Sequence, residues 1–220
     1  MKDIRSIKAA VFDLDGTLFD STAAWKGLGE RYLADRGITP EPGLDEKLRC
    51  MTLPDGSEYL KSAYSLPESP TEILKDILRA IEDFYTIECG LKPGARELLE
   101  LFSDRGIKLS IATAGDERLA LAALKRLGVR EYFSAVLTCA KYGGKEKPDI
   151  YLNAAAAAGG IPENTAVFED SLHALLTAKQ AGFITAAVCD LCEPQQARLK
   201  AYSDYYFNTL SDCSALFGKL

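Results

Sequence analysis

Four times along this chain a run of helical character stops at a glycine, and a short apolar segment of strand character follows. Residues 96–105 end at Gly106 ahead of 107–112, and 117–127 end at Gly128 ahead of 135–137. Residues 150–158 end at Gly159 ahead of 165–168, and 172–181 end at Gly182 ahead of 184–188. Glycine just past a helix takes the left-handed conformation that closes it. Apolar strands alternating with helices require a sheet covered on both faces, so the expected class is α/β with a doubly wound, mainly parallel sheet. Residues 8–12 supply an earlier strand, yet the next does not begin until Ile107. A strand-helix-strand unit needs only about 30 residues, so something is inserted. The expected division is a core of residues 1–19 and 92–220 with an all-helical insert at 20–91.

Within the insert the clearest element is 71–88, where Ile73, Leu74, Ile77, Leu78, Ile81, Phe84 and Tyr85 recur at helical spacing. Ser69 as N-cap, Pro70 in the first position and Glu72 three residues after the cap complete a helix start. Trp25, Leu28, Tyr32 and Leu33 form a similar stripe, while 52–70, with its prolines, gives a weaker helical signal.

The 220 residues are 47% hydrophobic and 26% charged, which suits a folded core and excludes a disordered or fibrous chain. Lys and Arg number 26 against 32 Asp and Glu, so bulk nucleic-acid binding is not expected. No apolar run reaches the roughly 18 residues that span a bilayer, so neither membrane insertion nor export is expected and the chain reads as cytoplasmic. The six cysteines lack the density of a disulfide scaffold, and Cys189 and Cys192, though spaced CxxC, have no second pair for a metal site. A single histidine, His173, excludes mechanisms that need several, and reads as a partly buried or surface residue.

Directly after the first strand comes Asp13-Leu14-Asp15-Gly16-Thr17. Ligands of open parallel sheets lie beyond the carboxyl ends of the strands. Carboxylates two apart on an extended segment face the same side and repel unless a proton or cation intervenes. Asp-Gly is also a common turn dipeptide. Other strand ends tip the balance towards a site. One delivers the Thr113 hydroxyl, another leads through Gly143-Gly144-Lys145-Glu146-Lys147, and a third runs into Glu169-Asp170-Ser171. Each has an ordinary structural role available: Thr113, Asp170 or Ser171 as a helix cap, and the lysines as wetted surface. Together they would converge on one crevice whose oxygen-only donors suit Mg2+ and, held by it, a phosphoryl group.

In this order the motifs resemble the haloacid dehalogenase-like hydrolase superfamily, in the branch whose helical cap is inserted after the first motif. Residues 92–106, beginning Lys92-Pro93-Gly94, are similar to the segment that returns from cap to core. The resemblance implies a Rossmann-like core and a two-step phosphoryl transfer. Asp13 would be the nucleophile, and Asp15 the acid for the leaving alcohol and then the base for water. Asp13, Asp15 through its backbone carbonyl, Asp170 and Glu169 would hold Mg2+. Thr113, Ala114 and Lys145 would bind the transferring group, with Lys147 a rival because Glu146 follows Lys145 where the family commonly has proline. Ala174 stands where the family usually has glycine.

Dehalogenases lack the second aspartate and phosphonate-cleaving relatives replace it with alanine, so Asp15 points to phosphate esters. Residues 20–25, Asp20-Ser21 through Trp25, look like those of sugar- and polyol-phosphate phosphatases; β-phosphoglucomutase-type enzymes, the alternative, typically carry histidine at the position of Trp25. A phospho-accepting receiver domain would have no insert. The expected partner is a small phosphorylated metabolite, with Trp25 and Arg49, and beside them Lys61 and Arg79, as candidate specificity residues. The cap would close over the crevice about hinges near residues 19–21 and 90–92, in a monomer or weak dimer.

Overall fold

The computed structural model describes residues 3–48 and 51–217. They form two compact units, Met1–Thr22 with Cys89–Leu220, and Ala23–Glu88.

The first unit is built on a six-stranded sheet. Its strands are β1 (Ala9–Phe12), then, beyond a short antiparallel pair β2 (Phe19–Asp20) and β3 (Gly90–Leu91), β4 (Lys108–Thr113), β5 (Phe133–Thr138), β6 (Thr165–Glu169), β7 (Ile184–Val188) and β8 (Tyr205–Phe207). The order across the sheet is β5-β4-β1-β6-β7-β8, and every neighbouring pair is parallel. All four residues of β1 are fully buried, which is why that strand is an unbroken apolar run rather than an alternating one. The chain winds from β1 to one side through β4 and β5, then returns to the other side through β6. The junction of β1 and β6 is therefore the switch point of the sheet, where open α/β folds leave a crevice. Phe12 pairs in register with Phe168 there, their rings stacked at 4.4 Å.

Between β2 and β3 the described residues include the helices α1 (Thr22–Trp25), α2 (Leu28–Ala34), α3 (Leu44–Leu48), α4 (Leu53–Tyr64) and α5 (Pro70–Asp83). The expected capping box is present on α5: Glu72 N–H donates to Ser69 Oγ and Ser69 N–H to Glu72 Oε2. Beyond Asp83 the helix widens into a π-helical turn, Phe84–Glu88. The stripe from Trp25 to Leu33 is not one helix. Gly27, at φ +70, separates α1 from α2, and its N–H is taken by Asp45 Oδ1 at 2.7 Å. The weakly signalled stretch contains α4, started by Thr52, whose hydroxyl accepts from Asp55 N–H.

The sheet's covering helices are α6 (Ala95–Asp104), α7 (Glu117–Arg126), the short α8 (Cys139–Tyr142), α9 (Asp149–Ala157), α10 (Leu172–Gln180), α11 (Gln196–Tyr202) and α12 (Leu210–Leu216). The edge strand β8 and the β2/β3 pair, of three and two residues, were not anticipated from the sequence. Among the described residues no helix is long and apolar enough to cross a membrane.

Candidate active site

Asp13 is the first residue past β1, and its N–H donates to Phe168 O at 3.0 Å, so the sheet ladder fixes its backbone. The chain then coils tightly: the N–H groups of Thr17, Leu18 and Phe19 all donate to Leu14 O, and Gly16 N–H reaches Ser21 Oγ at 3.2 Å. Gly16 has φ +78, and a Cβ there would run into the carboxylate of Asp170. Glycine is thus required both by backbone conformation and by close approach of the acid. Thr17 Oγ1 donates to Asp170 Oδ1 at 3.0 Å, tying the first motif to the last.

Asp13, Glu169 and Asp170 each offer an oxygen within 4.8 Å of the others. Lys145 is buried among them, its ammonium donating to Asp13 Oδ1 and, at 2.5 Å, to Glu169 Oε1. Tyr151, wholly buried on α9, donates its hydroxyl to the same Glu169 oxygen at 2.8 Å. Burial pushes the Asp13 carboxyl up, Lys145 pulls it down, and the charge of Glu169 pushes it up again; the outcome is about 7. Burial and the neighbouring charges of Asp13 and Glu169 likewise raise Asp170 well above the usual carboxylate range. Burial disfavours the charge on Lys145, but Asp13 and Glu169 outweigh it and hold the ammonium charged. Three acids facing one lysine are electrostatically underpaid, and a hard divalent cation among these oxygen donors would relieve them. The donor set therefore fits a divalent ion.

Asp15 carries its carboxylate elsewhere. A Cβ built on Gly115 would lie 3.4 Å from Asp15 Oδ2 and 3.3 Å from Thr113 Oγ1, so this acid faces the exit of β4 beside Thr113. Thr113 is buried and its hydroxyl accepts from Gly115 N–H at 3.0 Å; Ala114 is exposed. Of the rival lysines, Lys147 is exposed. The Ser171 hydroxyl does not cap α10: the first amide, Leu172 N–H, donates instead to Glu193 Oε2 at 3.0 Å, and Ser171 Oγ contacts His173 Nδ1 at 2.7 Å. His173 is exposed. Ala174 is fully buried in the core with Tyr151 and Val11, which shows that the helix accommodates its methyl group.

In the helical unit, Trp25 is 42% exposed, with its indole N–H held by Tyr85 Oη at 3.1 Å. Lys61 is turned onto the backbone carbonyls of Leu66 and Pro67, and Arg79 is exposed. Arg49 lies outside the described residues, as does Cys50. Cys189 and Cys192 are in no disulfide.

Three residues near the site were not assigned roles from the sequence. Thr17 and Tyr151 bond the acids directly. Asp190, 4% exposed beyond β7, accepts from Thr22 Oγ1 at 3.0 Å, from Cys192 N–H at 2.8 Å and from Lys92 at 2.7 Å. A tyrosine hydroxyl amid the Ile and Ala of α9 was the one available signal, since a buried phenol needs a partner.

A family model described as haloacid dehalogenase-like hydrolase matches residues 7–182. The chain belongs to this family. Its relatives include a phosphorylated carbohydrates phosphatase of Thermotoga maritima, 29% identical over 80% of this chain and 82% of that protein. A phosphoglycolate phosphatase of Agrobacterium fabrum is 32% identical over 78% of this chain and 76% of its own. A candidate beta-phosphoglucomutase of Thermotoga maritima has the same fold, with a TM-score of 0.84 and 26% identity over 97% of this chain and 100% of that one. Curated relatives of this haloacid dehalogenase-like hydrolase thus include phosphatases and proteins named beta-phosphoglucomutase.

Proposed function

We propose that this hydrolase is a Mg2+-dependent phosphatase that hydrolyses a small phosphorylated metabolite, a sugar or polyol phosphate, through a phosphorylated Asp13. The observation that carries the reading is the convergence of Asp13, Glu169 and Asp170 with the single buried Lys145 at the switch point of the sheet. The phosphatase names of the relatives support the substrate class.

Asp13, Asp170 and Glu169, with the backbone carbonyl of Asp15, would hold the ion, which supplies positive charge for the phosphoryl oxygens. An Asp13 carboxylate oxygen attacks phosphorus as the bond to the leaving alcohol breaks, and Asp15 gives that alcohol its proton. Asp15 then takes a proton from water, whose oxygen attacks the phosphorylated Asp13 and frees inorganic phosphate. Lys145, now bonded to Asp13, passes to the phosphoryl oxygens, which Thr113 and the Ala114 amide also meet.

The test is a Mg2+-dependent screen of phosphorylated metabolites that includes glucose 1-phosphate. Release of phosphate supports the reading, and absence of release from every ester sinks it. The names of the mutase relatives favour one alternative, for which glucose 6-phosphate would accumulate without phosphate release. Replacing Asp15 with Ala should slow esters with poor leaving groups by about 10^2 to 10^4-fold and nitrophenyl phosphate far less. Equal losses on both would remove Asp15 from the acid role.

A further inference from the structure

Resting on the phosphatase reading above, we infer that Tyr151 is a positioning residue that holds Glu169 for cation binding independently of Lys145. Glu169 is 1% exposed, and two donors meet on its Oε1, the Lys145 ammonium at 2.5 Å and the Tyr151 hydroxyl at 2.8 Å. Both donors hold Glu169 by that one oxygen, while its carboxylate offers an oxygen within 4.8 Å of one each from Asp13 and Asp170. The two donors differ in what they can do. Lys145 follows a glycine pair, Gly143 and Gly144, and divides its ammonium between Asp13 and Glu169. It is the group that must turn towards a phosphoryl oxygen when substrate arrives, and Glu169 then loses its share of that cation. Tyr151 cannot follow. Its ring is wholly buried on α9, packed in the core with Val11, Val167 and Ala174, and it meets the Phe183 ring edge-on at 6.4 Å. A buried carboxylate stripped of its donors would swing away from the other acids, and that would spoil the cation site. The fixed phenol keeps the acid in place through the turnover.

The experiment compares wild type with Tyr151→Phe, which removes the hydroxyl and keeps the ring. Mn2+ binding is read by electron paramagnetic resonance on the substrate-free protein, alongside melting temperature and the Mg2+ dependence of kcat and KM. We expect Mn2+ affinity to fall about 10 to 100-fold, the usual cost of losing a group that orients a metal ligand. The apparent Mg2+ requirement should rise in step, and KM for substrate should change less than kcat. In a Glu169→Gln background the same substitution should change affinity no further, because Tyr151 acts through that carboxylate. Affinity within threefold of wild type, or a loss of the same size in the Glu169→Gln background, overturns the inference. Should Tyr151→Phe fail to fold, Tyr151→Met fills the space without a hydroxyl and is judged by the same criteria. A wild-type protein that binds no Mn2+ and releases no phosphate would instead overturn the phosphatase reading, and this inference with it; a wild type that does both while the variant matches it overturns the inference alone.

Discussion

Two buried acidic centres flank Gly16, and the sheet treats them in opposite ways. A Cβ on Gly16 would meet the Asp170 carboxylate on one side and lie 3.2 Å from Asp190 Cγ on the other. Asp190 is satisfied. Burial alone would raise its pKa, but the bonds from Lys92, Cys192 N–H and Thr22 outweigh that and hold it below the usual value. At the other centre burial and mutual repulsion win, leaving Asp13 at about 7 and Asp170 raised although Lys145 is in direct contact with Asp13. Each centre has a lysine and a threonine donor, so the difference lies in the ratio of acids to donors. A fold selected only for stability would supply a partner for each buried charge. The centre left short of positive charge is the one whose donors fit a cation from outside.

Substitutions should separate the two centres along different axes. Asp13→Asn removes the proposed nucleophile and should cost roughly 10^4-fold or more in kcat, about 5 kcal/mol of transition-state stabilisation. Its melting temperature should hold or rise, because a repelled charge is removed; a freshly prepared sample, checked for amide hydrolysis, gives the measurement. Retention of most activity would end the nucleophile assignment. Asp190→Asn is the converse. It strands Lys92, whose side chain is only 12% exposed, and should cost about 3 kcal/mol of stability by denaturant titration. Turnover should change by less than tenfold. If Asp190→Asn instead silenced turnover at unchanged stability, the division into a structural and a functional centre would collapse.

The first of these centres was legible in the sequence and the second was not, for a physical reason. Asp13, Lys145, Glu169 and Asp170 follow strands or precede helices that announce themselves by apolar runs and terminal glycines, so their arrival at one end of the sheet follows from topology. Asp190 belongs to the loop between β7 and α11, and the next strand, β8, is a three-residue edge strand too short to show a pattern. Its partners, Thr22 and Lys92, lie 168 and 98 positions away in sequence, a distance that only folding closes. Tyr151 was hidden differently, since an aromatic on a buried helix face reads as core, and only the hydroxyl's position reveals a second task. In the insert, the capping box at Ser69 was readable because it is local, whereas the break at Gly27 depends on Asp45 reaching back to take its amide.

The smallest predicted effect is the most direct probe of charge shortage, because the two centres titrate in different windows. Asp13 is raised from an ordinary 3.8 to about 7, so between those values the folded protein binds more protons than the unfolded chain. Stability of the metal-free protein from this group therefore falls as pH rises through that window. On the proposed function Mg2+ would compete with the same protons, so its stabilising effect should grow with pH. At about pH 8 saturating Mg2+ should add about 2 to 3 kcal/mol over chelator-treated protein, and much less at about pH 5. Asp190 runs the other way. Its lowered pKa contributes stability that is complete above 3.8 and disappears only as pH falls through the depressed value, with or without Mg2+. Melting temperatures across pH, with Mg2+ and with chelator, would thus show a metal-sensitive slope near neutrality and a metal-insensitive one in acid. Asp13→Asn should flatten the first and spare the second, and a Mg2+ effect independent of pH would show that the shortage of charge at Asp13 is not what the ion relieves.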